Sequence, residues 1–296
     1  MAGMTRLRAL VKATVLEILG EPFVLLLTLS ALALAVLAPA FHYHQFGEAS
    51  RMARDAGISA LLLGGGVLAV FCPIRTYRRE IESGTVLSAL ALPVSRPFFF
   101  CAKFLGLMVA YLAFVLTVGG VSLTVVNGAE IGGAIAAARG DVARLWGPSL
   151  VCAVTTLVLP IVCAAVLNRF ARFRFTLSAN LMALGLALAG TVYRFNAALA
   201  ARFIPVILLA VLPALVLFAA SAAFAVRFRA NASAALTTLV AAALLPALGN
   251  YCLSDALADG GSVGLSYFLL ASAAILPAVA ALLVLGVGLF KGRDIS

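Results

Sequence analysis

Eight stretches without a charged side chain set the main limit on how this chain can fold: residues 22–41, 56–74, 104–126, 145–168, 175–193, 203–226, 230–254 and 260–290. Each can supply the roughly 20 residues, at about 1.5 Å apiece, that a hydrocarbon layer of about 30 Å requires. The expected fold class is an all-α, polytopic membrane helical bundle of about eight transmembrane helices, forming a single domain over residues 1–296. Six is the lower count, reached if the two weakest windows fail: 56–74, with its Gly64-Gly65-Gly66 triplet, and 175–193.

Composition agrees, because 64% of residues are hydrophobic and only 11% are charged, which excludes an ordinary soluble domain. The formal charge of +10 could suggest nucleic acid. Here, however, the cations lie in short clusters between apolar runs, as topology signals do, so the lipid bilayer is an expected partner and nucleic acid is not. With a cytosolic N-terminus, fifteen of the 21 Lys and Arg residues fall on the inner side. That distribution predicts a multi-pass protein of the inner or plasma membrane with both termini in the cytosol.

Residues 3–20 place Leu7, Leu10, Val11, Thr14 and Ile18 on one helical face and Arg8 and Lys12 on another, with Leu16 out of pattern. This spacing predicts an interfacial helix lying in the headgroup layer. The small residues Leu37 to Ala40 resemble a cleavage site. The preceding Glu17 and Glu21 make a poor leader, so residues 22–41 are expected to be a retained first span.

Residues 127–144 are too polar and Gly-rich to cross and are expected to form a short outer helix or loop. Pro160, Pro213, Pro246 and Pro277 fall inside later spans, where each removes one backbone hydrogen bond. The five cysteines are odd in number, contain no CxxC pair, and are expected to act as small buried hydrophobes.

Several chemistries lack their residues. No Asp, Glu, His or Arg lies within a window, which weighs against an ion-coupled carrier. No GxxxxGK[ST] phosphate loop occurs, so this chain is not expected to hydrolyse ATP, and if energy is used a partner must supply it. His42 and His44 have no cysteine nearby and are expected to be solvated rather than metal-bound. No nucleophile, base and acid constellation is apparent, and no cofactor, metal or catalytic residue is expected.

The longest charge-dense interruption is Arg75 to Lys103, RTYRREIESGTVLSALALPVSRPFFFCAK. Arg75 to Arg79 form a basic stalk beyond the second window. Glu80, Ile81, Glu82 and Ser83 lead to Gly84, and Thr85 can cap a short helix, Val86 to Leu92, which Pro93 ends. Ser95 can cap the following helix, with Arg96 and Pro97 in its first turn, and Lys103 can snorkel to the interface. Residues 75–103 thus form a cytosolic bend, helix and bend with charges exposed for a soluble partner; an ordinary charged loop is the plainer alternative.

This pattern resembles the permease subunits of type-2 ATP-binding-cassette exporters. The shared features are an acidic pair before Gly-Thr, a Pro-x-Ser-Arg turn and a Lys opening the third helix. They fall here on Glu80, Glu82, Gly84, Thr85, Pro93, Ser95, Arg96 and Lys103, and the likeness is most specific over residues 5–126. The resemblance implies a membrane subunit without catalytic residues, paired with a second permease, identical or paralogous, and with a separate soluble ATPase. Residues 80–92 would be the coupling element docked on that ATPase, with Arg78 and Arg79 in the adjoining stalk. The eight windows exceed the six spans usual in that family. A self-contained carrier or channel, and a non-transporting membrane assembly factor, remain the alternatives.

Overall fold

The computed structural model describes residues 2–37, 49–82, 95–139, 154–248 and 265–291. These residues form helices α1 (Ala2–Leu19), α2 (Pro22–Leu37), α3 (Ala49–Glu82), α4 (Arg96–Arg139), α5 (Leu159–Ala171), α6 (Phe175–Tyr193), α7 (Ala197–Arg227), α8 (Ala230–Leu248) and α9 (Leu265–Lys291). A single π turn, Val154–Val158, precedes α5. The chain is an all-α helical bundle, and every one of the eight apolar windows is helical over its described part. By length and composition, five of these helices can cross a membrane, or six if α1 and α2, bent by 64°, act as one broken span.

The bend follows from Gly20-Glu21-Pro22. The residue before a proline is steered away from helical dihedrals, while the proline suits the first turn of a helix. α1 therefore closes with Gly20 N–H donating to Leu16 O at 3.1 Å, and the Glu21 carbonyl accepts the first bond of α2 from Leu25 N at 3.3 Å. α1 divides as its sequence predicts, with Thr14 and Ile18 buried and Arg8 and Lys12 exposed. Its inner face nonetheless packs on protein: a Cβ added at Gly106 of α4 would lie 2.6 Å from Thr14 Cβ.

α3 and α7 form the centre. Pro73 sits inside α3 and has no N–H to give to Ala69 O, four residues earlier. α7 makes good the loss, because the Ser221 hydroxyl donates to Ala69 O at 2.8 Å. Around Ser221 lies a stripe of small buried residues, Ala219, Ala220, Ala222, Ala223 and Ala225, which lets the two backbones approach.

The Gly64-Gly65-Gly66 triplet, a weak point by hydropathy, is a packing notch for α4. A Cβ at Gly64 would lie 2.8 Å from Phe114 Cζ, and one at Gly65 would lie 2.9 Å from Tyr111 Oη. Only the third glycine faces open space.

Three expectations are corrected. Residues 127–139 are not a separate outer element but the continuation of α4, whose 44 residues reach about 66 Å. Pro160 does not interrupt a span; it occupies the first turn of α5 just after the π turn, where its missing N–H is harmless. Of the cysteines described, Cys72 is buried, whereas Cys101 is exposed and Cys163 half-buried, so burial is not their common role. His42 and His44 lie outside the described residues.

Candidate functional site

α3 does not stop at the end of its apolar window but runs as one helix through Arg75, Arg78, Arg79, Glu80 and Glu82. At that end it meets the end of α1 and the start of α4, and their charged groups form one cluster. Arg75 Nη2 is 3.0 Å from Glu21 Oε2. Arg79 Nη1 lies 3.1 Å from Glu21 Oε1 and 3.6 Å from Glu17 Oε1. Arg75 and Arg79, four apart on α3, project from adjacent turns of one side, while Glu17 near the end of α1 and Glu21 in the bend that follows it both come within reach of Arg79.

Lys103, one turn into α4 from its buried phenylalanines, closes the cluster. Its Nζ pairs with Glu80 Oε1, is 3.7 Å from Glu17 Oε2, and stands 5.9 Å from the centre of the Phe99 ring. Lys103 therefore does not snorkel outward. Its side chain is only 5% exposed, because an inward-facing carboxylate and an aromatic face receive it. Burial pushes the Glu80 carboxyl above its ordinary value, against the downward pull of the Lys103 ammonium.

Arg78 turns away from α1, to Glu82 on its own helix and to the end of α7. It is 2.6 Å from Glu82 Oε1, and its other terminal nitrogen donates to Phe228 O, just beyond α7, at 3.4 Å. Four acids and four bases are thus gathered at one end of the bundle, with no net charge, and they tie α1, α3 and α4 together and reach the end of α7. Beneath them, Tyr77 stacks on Phe100 at 5.1 Å and donates its hydroxyl to Phe100 O at 2.9 Å, while Phe290 of α9 packs on Phe99 and Phe100.

The residues singled out by sequence divide accordingly. Arg78, Arg79, Glu80 and Glu82 are brought together at the end of α3. Ser95 directly precedes α4 and accepts from Phe99 N at 3.1 Å, and Arg96 begins that helix. Gly84, Thr85 and Pro93, with the proposed short helix 86–92, lie outside the described residues. The expectation of exposed charges is met by Glu82 and Arg79, each with 61% of its side chain exposed, but not by Glu80, which turns inward to Lys103.

Glu17 and Glu21 are the functional residues that sequence reasoning passed over. Their signal was their spacing of four in an otherwise basic segment, matching that of Arg75 and Arg79. Among the described residues no group of His, Cys, Asp and Glu is placed to hold a metal ion.

At the other end of the bundle, Asn127 of α4 donates to Arg194 O at 2.9 Å. Asn196 caps α7 by accepting from Ala198 N and Leu199 N. α4 is thereby held near its start by charges and, twelve residues before its end, by the Asn127 amide.

Compared with known proteins, residues 10–184 match a family model described as ABC-2 family transporter protein, a stretch of more than half the chain that contains the whole charged cluster. No curated protein and no solved structure matches.

Proposed function

Because the chain belongs to the ABC-2 family of transporter proteins, and so is a multi-pass membrane permease of the ABC transporter class, we propose that it is the permease subunit through which a separate soluble ATPase drives export. The coupling element is the segment between α3 and α4, residues 83–94, together with the last turn of α3. The chain contributes no catalytic residue and works beside a second permease, identical or paralogous. Its termini and this segment face the cytosol.

One observation carries the reading. A neutral set of eight charges ties the ends of α1, α3 and α4 together at the point where α3 gives way, in sequence, to the coupling segment. A push on residues 83–94 moves the end of α3. Arg75 and Arg79 then carry Glu17 and Glu21, and with them α1, while Glu80 carries Lys103 and α4. The buried Lys103–Glu80 pair suits this task, since removing one partner leaves a charge stranded at a cost of about 3–5 kcal/mol, so α3 and α4 move together rather than part.

The test is affinity purification of the tagged full-length chain from its native membranes, followed by assay of ATP hydrolysis. A co-purifying ATPase that is lost on Glu82→Lys, with the variant still folded, supports the reading. Transport by the lone chain in liposomes, driven by an ion gradient and indifferent to ATP, would replace it with a self-contained carrier. A partner bound without any ATP-dependent solute movement would replace it with an assembly factor.

A further inference from the structure

The turn joining α5 to α6 reads Arg169, Phe170, Ala171, Arg172, Phe173, Arg174, and no acidic residue interrupts it. All six residues are exposed, with the Phe170 side 85% and the Phe173 side 59% accessible. Two aromatic rings this open, between three guanidinium groups, are out of place on a surface bathed only by water. Among the described residues none of the three arginines forms an ion pair.

The backbone adds a second observation. Arg172 has φ 54° and ψ 25°, and it is the sole non-glycine residue with positive φ among those described. Glycine fills such a helix-ending position without strain. Here an arginine holds it, and the chain reverses from α5 into α6 with a cation at the apex.

The turn lies at the same end as the charged cluster: Thr176 donates to Gly20 O, and Asn180 Nδ2 donates to Leu19 O at 2.8 Å. α6 is long and apolar enough to cross a membrane and α5 is a shorter apolar helix, so in a bilayer the three cations of the turn between them belong at the headgroup layer rather than in the hydrocarbon. A small free anion would satisfy the guanidiniums and leave the rings in water. A lipid satisfies both, its phosphate taking the guanidiniums and its chains covering the rings.

We propose that Arg169 to Arg174 form a binding site for anionic lipid headgroups, with Phe170 and Phe173 seated among the acyl chains. Through Thr176 and Asn180 the bound lipid steadies α6 against the end of α1, and so stiffens the bend at which Glu17 and Glu21 hold α3. This rests on the chain being embedded in a membrane but not on its being driven by an ATPase.

The experiment uses the purified full-length chain alone, in detergent, titrated with phosphatidylglycerol and separately with phosphatidylcholine, and counts bound lipids by native mass spectrometry. Wild type is expected to prefer phosphatidylglycerol. Each of Arg169→Gln, Arg172→Gln and Arg174→Gln should lower that preference, by about fivefold per cation. Phe170→Ala with Phe173→Ala should weaken retention as well, and Arg227→Gln with Arg229→Gln, two exposed cations of another turn, should change it far less.

All the substituted side chains are exposed, so an unchanged melting temperature without added lipid shows that each variant is folded. Undiminished phosphatidylglycerol binding by the triple Gln variant would overturn the proposal. So would an equal loss in the Arg227 and Arg229 control, which would mean diffuse charge, or displacement of the lipid by inorganic phosphate alone, which would mean a plain anion site. No ATP is present, so the outcome stands whether or not the coupling reading does.

Discussion

Arg79 of α3 donates to the Glu21 carboxylate at 3.1 Å across 58 residues of sequence, and it does so at the bend where α1 gives way to α2. The contact fixes that bend to the stalk leading into the coupling segment. Arg79 is largely exposed, so solvent screening limits what the pair adds to stability. A double-mutant cycle of Glu21→Gln and Arg79→Gln is expected to give a coupling energy of about 0.5–1 kcal/mol in thermal unfolding of the detergent-solubilised chain.

The buried pair is the stronger one. Lys103→Met strands the Glu80 carboxylate and should destabilise the protein by about 3–5 kcal/mol, whereas Lys103→Met together with Glu80→Leu should recover most of that loss. Unfolding midpoints of the single and double variants give the comparison.

Glu80 also leaves a pH signature. Burial raises its carboxyl above the ordinary value of 4.5, so the folded chain binds this proton more tightly than the unfolded one. Its contribution is therefore fully present below the ordinary value and is lost as pH rises through the raised one. Glu80→Gln should remove that decline from the stability profile measured across the same range, with the other carboxylates still acting in the opposite sense.

Pro73 and Ser221 should be coupled through the carbonyl between them. Ser221→Ala leaves Ala69 O without its donor and should cost about 1–3 kcal/mol. In a Pro73→Ala background, where residue 73 regains an N–H for the same carbonyl, the cost should largely vanish. Non-additivity of the two melting shifts is the readout.

The seat of α1 on α4 is a steric matter. Gly106→Ala brings a methyl group 2.6 Å from Thr14 Cβ and should destabilise by about 1–3 kcal/mol. Thr14→Gly in the same chain should relieve part of it, which unfolding of the two variants will show.

Much of the fold is legible in the sequence because a bilayer leaves few choices: apolar runs of about 20 residues without charge become helices, and their order is the order of the chain. The bend between α1 and α2 has a local cause in Gly20-Glu21-Pro22, though it is recognised only once the two helices are seen. What escapes is anything decided by a distant partner. Residues 127–139 look like an outer loop by composition, yet Asn127 is held by Arg194 and the helix continues. Lys103 looks like a snorkelling cation because local sequence does not reveal Glu80 and Glu17 converging on it. Gly64 and Gly65 look like weakness until Phe114 and Tyr111 fill the notch. Glu17 and Glu21 mattered least in a one-dimensional reading and each hold two ion pairs in three.

The most direct measurement is site-specific photo-crosslinking from position 82, with Glu82 replaced by p-benzoylphenylalanine in the full-length chain in intact cells. The exposed end of α3 should yield a cross-linked product containing a soluble ATPase, and its yield should change when ATP is depleted. Cross-links to lipid or to extracellular protein alone, with position 82 reachable by a membrane-impermeant reagent from outside, would contradict coupling through this end of the bundle.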